Sequence, residues 1–460
     1  MRAEVLPILL ALAALMAIAY RGLPVIVFAP VCAMLAVGLS GRAVLPSYTD
    51  LFMKTAAGYI QSFFPLFLLG AMFGKLMETS GAAGTIAGAI AGMLGPGHSI
   101  LAVVLACGVL TYGGVSLFVV AFAVYPLAAA LFREADIPKR LIPGAIALGA
   151  FTLTMDALPG SPQIQNLIPT RYFGTDAYAA PVAGLAGGAA VLIGGLSWLE
   201  WRRRQAAAAG EGYGTGHLHE PETHDGAARP PFLLAILPLA LVLVTNFVLS
   251  RTSWSVATWH SAAMLRADFP SLSIAASAPT WALIVALVLG IAAALAIQAR
   301  RVKDQLAKAL TVATSGALLA IFNTASEVGF GNTIKSLPGF RVIQDGVFLV
   351  SRHVLVSEAT SVNVLSGITG SASGGLSIAL DVMGTRYLEL ARMQGVSPEL
   401  LHRVASMASG GMDTLPHNGA VITLLAVTGL THWQSYKDIF AITVLKTVTV
   451  FALAFVASSR

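Results

Sequence analysis

Long apolar runs, cut by short polar interruptions, set the rhythm of this chain and predict helices that cross a bilayer. The first crossing covers about 5–20, turns at Arg21-Gly22, and is followed by a second to about 40. Residues 41–54, with Arg42, Asp50 and Lys54, form a polar connection, and a third span covers about 56–76. From 85 to 131 the chain is apolar except at GPGHS (95–99) and TYGGVS (111–116), which predicts a short segment at 84–94 and crossings at 99–111 and 115–132. Further spans are predicted at 141–155, 179–198, 231–250, 279–298 and 309–325, while 251–278 reads as an external loop or a weak hairpin. The pattern predicts an all-α polytopic membrane protein of about 11–12 transmembrane helices. The immediate second span favours a retained first helix over a cleaved signal peptide.

Composition agrees: of 460 residues, 56% are hydrophobic and 11% charged, against about 25% charged in soluble domains. No Asp, Glu, Lys or Arg occurs between Glu78 and Arg133, or between Asp268 and Arg300. The formal charge of +6 falls largely at helix ends, so it speaks to orientation and not to nucleic acid. The basic loops at 133–140 and 300–303 are expected on the cytoplasmic side. Cys32 and Cys107 stand in apolar runs and read as small packing residues. His217, His219 and His224 lie in a polar stretch without a framework to hold a metal, so no metal site or cofactor is expected. The absence of a GxxxxGK[ST] loop disfavours direct ATP-driven transport, and no nucleophile–base pattern indicates an enzyme.

Two copies of Met-Asp-x-Leu-Pro organise the chain: Met155-Asp156-Ala157-Leu158-Pro159 and Met412-Asp413-Thr414-Leu415-Pro416. An ionisable residue beside a helix-interrupting proline in apolar surroundings marks a functional site, and matched copies in two halves point to broken or re-entrant helices. Other pairs keep the same order. METSGAAGTI (77–86) faces SEVGFGNTI (326–334), which makes Glu78 and Glu327 rough counterparts. TYGGVSLFVV (111–120) faces SASGGLSIAL (371–380), and the connections READIPKRL and GVSPELLHR face each other. This order predicts a first repeat over 1–201, a cytoplasmic connector over 202–230 and a second repeat over 231–460, inverted if each half holds an odd number of crossings.

Asp156 and Asp413 are the central candidates. Low-dielectric surroundings penalise an ionised carboxylate, which would make proton uptake accessible for coupling; either could instead cap a helix or shape a turn. Polar groups able to meet an organic anion surround them: Ser161, Gln163 and Asn166 in the first copy, Thr414, His417 and Asn418 in the second. Exposed amides at broken-helix amino termini favour a carboxylate. A polar seam brings Glu358, Thr360, Ser361, Asn363, Ser371 and Ser373, as a cavity wall or a packing face of small residues. Asn323 and Glu327 stand beside the expected break at 326–334, and Arg171 and Arg352 could orient a carboxylate or mark an interface.

Three stretches carry a family resemblance: FFPLFLLGAMFGKLMETSGAAGTIA (63–87), YGGVSLFVVAFAVYPLA (112–128) and ASGGMDTLPHNGAVITLLAVTGLTHWQSYKDI (408–439). Together they resemble the gluconate permease family of proton symporters, the last one particularly the hydroxybutyrate-permease branch. The resemblance implies uptake of a small organic anion with protons across the bacterial cytoplasmic (inner) membrane, by alternating access through paired re-entrant segments, in a multi-pass chain open to homo-oligomerisation. GITGSASGGLS (367–377) departs from the GSATVA-like run of gluconate permeases, which favours 3-hydroxybutyrate or another short hydroxy acid over gluconate. Sodium-coupled carboxylate uptake and an integral membrane enzyme are the alternatives.

Overall fold

The computed structural model describes residues 2–21, 23–115, 117–218, 220, 230–251, 268–269, 274–342, 351–416 and 418–458. Every regular element among them is helical. Six helical stretches are long and apolar enough to cross a membrane: Val44–Thr79, Pro181–Ala208, Phe232–Leu249, Ser277–Arg300, Leu306–Lys335 and His432–Ser458. Shorter apolar helices include Val25–Leu39, Ala82–Leu94 and Ser99–Tyr112. The ambiguous stretch 251–278 lies mostly outside the described residues.

In chain order the first half contains α1 (Arg2–Tyr20), α2 (Val25–Leu39), α3 (Met53–Thr79), α4 (Ala82–Leu94), α5 (Ser99–Tyr112), α6 (Leu117–Glu134), α7 (Ile142–Ala150), α8 (Ile164–Phe173) and α9 (Pro181–Ala208). The second half contains α10 (Phe232–Arg251), α11 (Ile274–Val302), α12 (Leu306–Lys335), α13 (Val354–Thr369), α14 (Ala372–Gln394), α15 (Pro398–Ser409), α16 (Gly419–Thr428) and α17 (His432–Ser458). Contacts between the halves are reciprocal. Helix α2 packs on α12 and α11 on α3; α8 packs on α14 and α16 on α6; α7 packs on α17 and α15 on α9. Such exchange is what two inverted repeats produce when each lends its helices to the other's partners.

The breaks follow the two proline motifs. The span expected over 141–155 stops at Ala150, where Thr152 leaves helical geometry at φ −127°, ψ −122°. One further turn, Leu153–Asp156, precedes a non-helical passage to α8. In the second half α15 ends at Ser409 and α16 starts at Gly419, with the motif between them. Small residues seat these short helices tightly. A Cβ on Gly149 of α7 would stand 2.4 Å from the Val104 carbonyl oxygen and 2.6 Å from Cys107 Cβ on α5. Both cysteines are buried.

Three expectations change. No break occurs at 326–334, because α12 runs unbroken through it: the stretch holds no proline, and Gly329 and Gly331 stay helical where Phe52 and Ile378 pack against them. Glu78 and Glu327 take different places in their helices, Glu78 as the penultimate residue of α3 and Glu327 about two turns before the end of α12, although both line one cavity. Helix α9 continues to Ala208, so Arg202 belongs to a helix and pairs with Asp438 on α17, Nε to Oδ1 2.8 Å.

The connector's first residues are bound to the loop at 133–140. Arg140 donates to both carboxylate oxygens of Glu211, at 2.6 and 2.7 Å. The Tyr213 N–H donates to Asp136 Oδ1 at 2.8 Å, and Glu220 receives Lys139 at 2.9 Å and Arg133. His217 hydrogen-bonds the Tyr213 carbonyl oxygen at 2.7 Å; His219 and His224 lie outside the described residues.

Candidate functional site

The two breaks meet at an ammonium group on α17. Lys446 Nζ stands 3.0 Å from Asp156 Oδ2 and 3.9 Å from Asp413 Oδ1, and donates to the Phe151 carbonyl oxygen at 2.7 Å. Lys446 and Asp156 are each 3% exposed in their side chains. Charges this deep in an apolar environment are stable only when paired. The lysine thus ties the first broken segment to the second from a third element. Gly410 makes room for the contact: a Cβ there would stand 1.8 Å from Asp156 Oδ2 and 2.2 Å from Lys446 Nζ.

A second buried cation shapes the backbone around Asp156. Arg403, on α15, donates to the carbonyl oxygens of Ala179 at 2.9 Å and Asp156 at 3.2 Å, and to Asn166 Oδ1 at 2.9 Å. Ser406 donates to the Asp156 carbonyl oxygen at 2.7 Å, and His402 lies 3.3 Å from Asn166 Oδ1 and 2.7 Å from the Thr175 hydroxyl. Carbonyl groups freed by the helix break are thereby satisfied by side chains from the other repeat.

In front of this arrangement lies a cavity of about 870 Å³, bounded by α3, α12, the loop before α14 and both broken segments. Seven of the candidate site residues line it, Gln163, Asn323, Glu327, Ser371, Ser373, Asp413 and Asn418, together with Glu78, which pairs with Lys75 at 2.6 Å. Some also have local duties. Asn418 caps α16, accepting from the N–H groups of Ala420 at 2.7 Å and Val421 at 2.9 Å, and donates to the Gly370 carbonyl oxygen. Asn323 accepts from the Ile26 N–H at the start of α2, and Gln163 donates to the Thr111 carbonyl oxygen at 2.7 Å. Glu327 is 4% exposed, and among the described residues its Oε2 has no hydrogen-bond partner. A Cβ on Gly374, in the first turn of α14, would stand 1.8 Å from that oxygen, so this glycine admits the carboxylate to the amino terminus of α14.

The other candidates do not line the cavity. Asp156 stands behind it and is linked to Asp413 through Lys446. Ser161 and Asn166 brace the passage between the first break and α8: Ser161 donates to the Thr154 carbonyl oxygen, and Asn166 donates to those of Ser161 and Ala177. In the seam, Thr360 donates to the Val356 carbonyl oxygen, Ser361 shares a hydrogen bond with the Tyr387 hydroxyl, and Asn363 donates to the Ala408 carbonyl oxygen. Thr414 bonds the Thr443 hydroxyl. Glu358 is fully buried away from the cavity, and among the described residues neither of its carboxylate oxygens has a hydrogen-bond partner. Arg171 donates to Ser62, and Arg352 is exposed. His417 lies outside the described residues.

Sequence reasoning missed Lys446 and Arg403. Lys446 had a visible signal: a lone lysine inside the apolar run ITVLKTVTVFALAF. The stretch GVSPELLHR predicts a connection at His402 and Arg403, but Pro398–Ser409 is a helix that buries both.

Three comparisons bear on this arrangement. Residues 5–336 match the family model described as GntP family permease. The uncharacterized transporter YxjC of Bacillus subtilis (strain 168) is 51% identical over 461 residues, covering 98% of this chain and 98% of that protein. The crystal structure of the Alcanivorax borkumensis YdaH transporter, of unusual topology, aligns with 88% of this chain and 87% of its own, at a TM-score of 0.50 and 16% identity. That last likeness concerns the fold alone.

Proposed function

This chain belongs to the GntP permease family, and on that premise we propose that it takes up a small hydroxycarboxylate, 3-hydroxybutyrate or a close relative, together with protons. Family membership makes it a secondary transporter and a multi-pass membrane protein, consistent with the bacterial inner membrane. The observation that supports the finer reading is the Asp156–Lys446–Asp413 arrangement bordering the cavity.

Charge counting connects it to symport. With all groups ionised, Asp156 and Asp413 balance Lys446 and Arg403, and Lys75 balances Glu78 on the cavity wall, while Glu327 adds a further carboxylate. An anionic solute entering that cavity meets carboxylates in low dielectric, where repulsion is strong. A proton taken up with the solute removes one of those charges and leaves a cation free to face the solute's carboxylate. Movement of Lys446 between its two carboxylates would then alter how the broken segments are tied, which is the kind of bistable element alternating access requires.

The test is counterflow of labelled D-3-hydroxybutyrate in proteoliposomes, competed with gluconate, lactate and acetoacetate, followed by an imposed pH gradient. Concentrative uptake driven by external acid is expected, and Asp156→Asn or Asp413→Asn should abolish accumulation while leaving exchange. Accumulation that follows a sodium gradient and ignores pH would replace protons with sodium. Absence of hydroxy-acid exchange in folded protein would remove the substrate assignment.

A further inference from the structure

The two broken segments present unequal helix amino termini to the cavity. In α16 the first free N–H groups, those of Ala420 and Val421, are taken by the Asn418 side chain. In α8 the corresponding cap position is Gln163, whose side chain turns away to the Thr111 carbonyl oxygen and makes no capping bond. Among the described residues nothing accepts from the N–H groups of Ile164 or Gln165. Unfilled amides at the start of a ten-residue helix attract an anion through their hydrogens and the helix dipole.

A second observation points to the same place. Gln165 lines the cavity, is 6% exposed, and among the described residues its Oε1 has no hydrogen-bond partner. Leaving a buried amide oxygen unpaired is costly, and on a cavity wall the donor that completes it comes from what the cavity holds. An amide oxygen accepts but does not donate, so its missing partner is a hydroxyl or N–H.

We propose that α8 holds the solute: the carboxylate accepts from the Ile164 and Gln165 backbone N–H groups, and the solute hydroxyl donates to Gln165 Oε1. Gln165 is then the residue that distinguishes a hydroxy acid from its deoxy analogue. This rests on the reading that the cavity carries a small hydroxycarboxylate. The first repeat supplies the solute contacts because the second has covered its own amides with Asn418.

The experiment compares D-3-hydroxybutyrate with butyrate as competitors in proteoliposome counterflow, for the wild type and Gln165→Leu. The wild type should prefer the hydroxy acid about 10- to 100-fold, the range expected when one buried acceptor is left unpaired. In Gln165→Leu that preference should collapse towards unity through weaker hydroxybutyrate competition, with butyrate little changed. If Gln165→Leu does not fold, Gln165→Met keeps the chain length and Gln165→Asn moves the amide oxygen back by one methylene; both should narrow the ratio. An unchanged ratio in any folded variant overturns the assignment, as does a wild type that takes butyrate equally well. A wild type that exchanges neither acid overturns the substrate reading itself, and this assignment with it.

Discussion

Lys446 reaches from the middle of the last helix to Asp156 in the first broken segment, Nζ to Oδ2 3.0 Å, with both side chains 3% exposed. Since Asp413 lies 3.9 Å from the same ammonium, one lysine holds the two Met-Asp-x-Leu-Pro motifs in register. The repeat copies are alike, but the element joining them exists once.

Removing the lysine should therefore cost more than removing a carboxylate. Lys446→Met leaves two buried carboxylates without their cation, a loss of about 3–5 kcal/mol for a broken buried pair. Thermal unfolding in detergent should show this, and the double variant Asp156→Asn/Lys446→Met should recover part of it, because it leaves fewer unpaired charges. Additive losses would mean that the two groups do not interact.

Gly410 gives a steric test of the same contact. Its φ of −85° suits any residue, so Gly410→Ala acts through the added methyl alone, 1.8 Å from Asp156 Oδ2. Forcing an atom into that space should cost about 1–3 kcal/mol and reduce concentrative uptake more than expression. Gly92→Ala, in an exposed helical position with nothing among the described residues within 4 Å of the added methyl, should be neutral or slightly stabilising. Equal effects from the two would remove the steric argument.

Much of this was legible because the signals were covalent or periodic. Pro159 and Pro416 both lie in the non-helical passages, but Pro65 and Pro126 sit inside helices, so the repeated Met-Asp-x-Leu-Pro motif and not proline alone marked the breaks. Apolar runs predicted 99–111 and 115–132, where helices Ser99–Tyr112 and Leu117–Glu134 stand. What escaped depends on tertiary pairing. Lys446 becomes meaningful only beside Asp156, and Arg403 only when carbonyl oxygens from the other repeat surround it. The Ser/Thr seam was ambiguous for a related reason. Thr360 and Thr369 turn back onto carbonyl oxygens of their own helix, so hydroxyl content does not reveal which face meets solute. Glycines misled at 326–334, where they serve close packing without interrupting the helix.

Away from the cavity, Asp438 on α17 accepts from Arg202 at 2.8 Å and from the Trp198 ring N–H at 3.0 Å, and is 1% exposed in its side chain. Asp438→Asn keeps the size but leaves Arg202, 11% exposed, without its counter-charge. A loss of about 3–5 kcal/mol is expected in detergent unfolding. Glu200→Gln removes the partner of Arg203 in an i,i+3 pair whose side chains are 36% and 33% exposed, and should cost under about 0.5 kcal/mol. If the two variants unfold alike, the buried cluster is not what joins α9 to α17.

The clasp between Glu211 and Arg140 should respond to pH with a defined sign. The hydrogen bond from Arg140 holds the Glu211 carboxyl below its ordinary range, the largest cause, with partial burial opposing it. A carboxylate lowered on folding adds stability above its unfolded value, about 4.3, and loses that contribution as pH falls through the lower folded value. Glu211 is 43% exposed, so solvent screening limits the contribution to under about 1 kcal/mol. Glu211→Gln should thus unfold slightly below the wild type at pH 7, match it near about pH 3, and lose part of the gap in high salt. A gap that persists unchanged at low pH would mean that the substitution acts through packing and not through the ion pair.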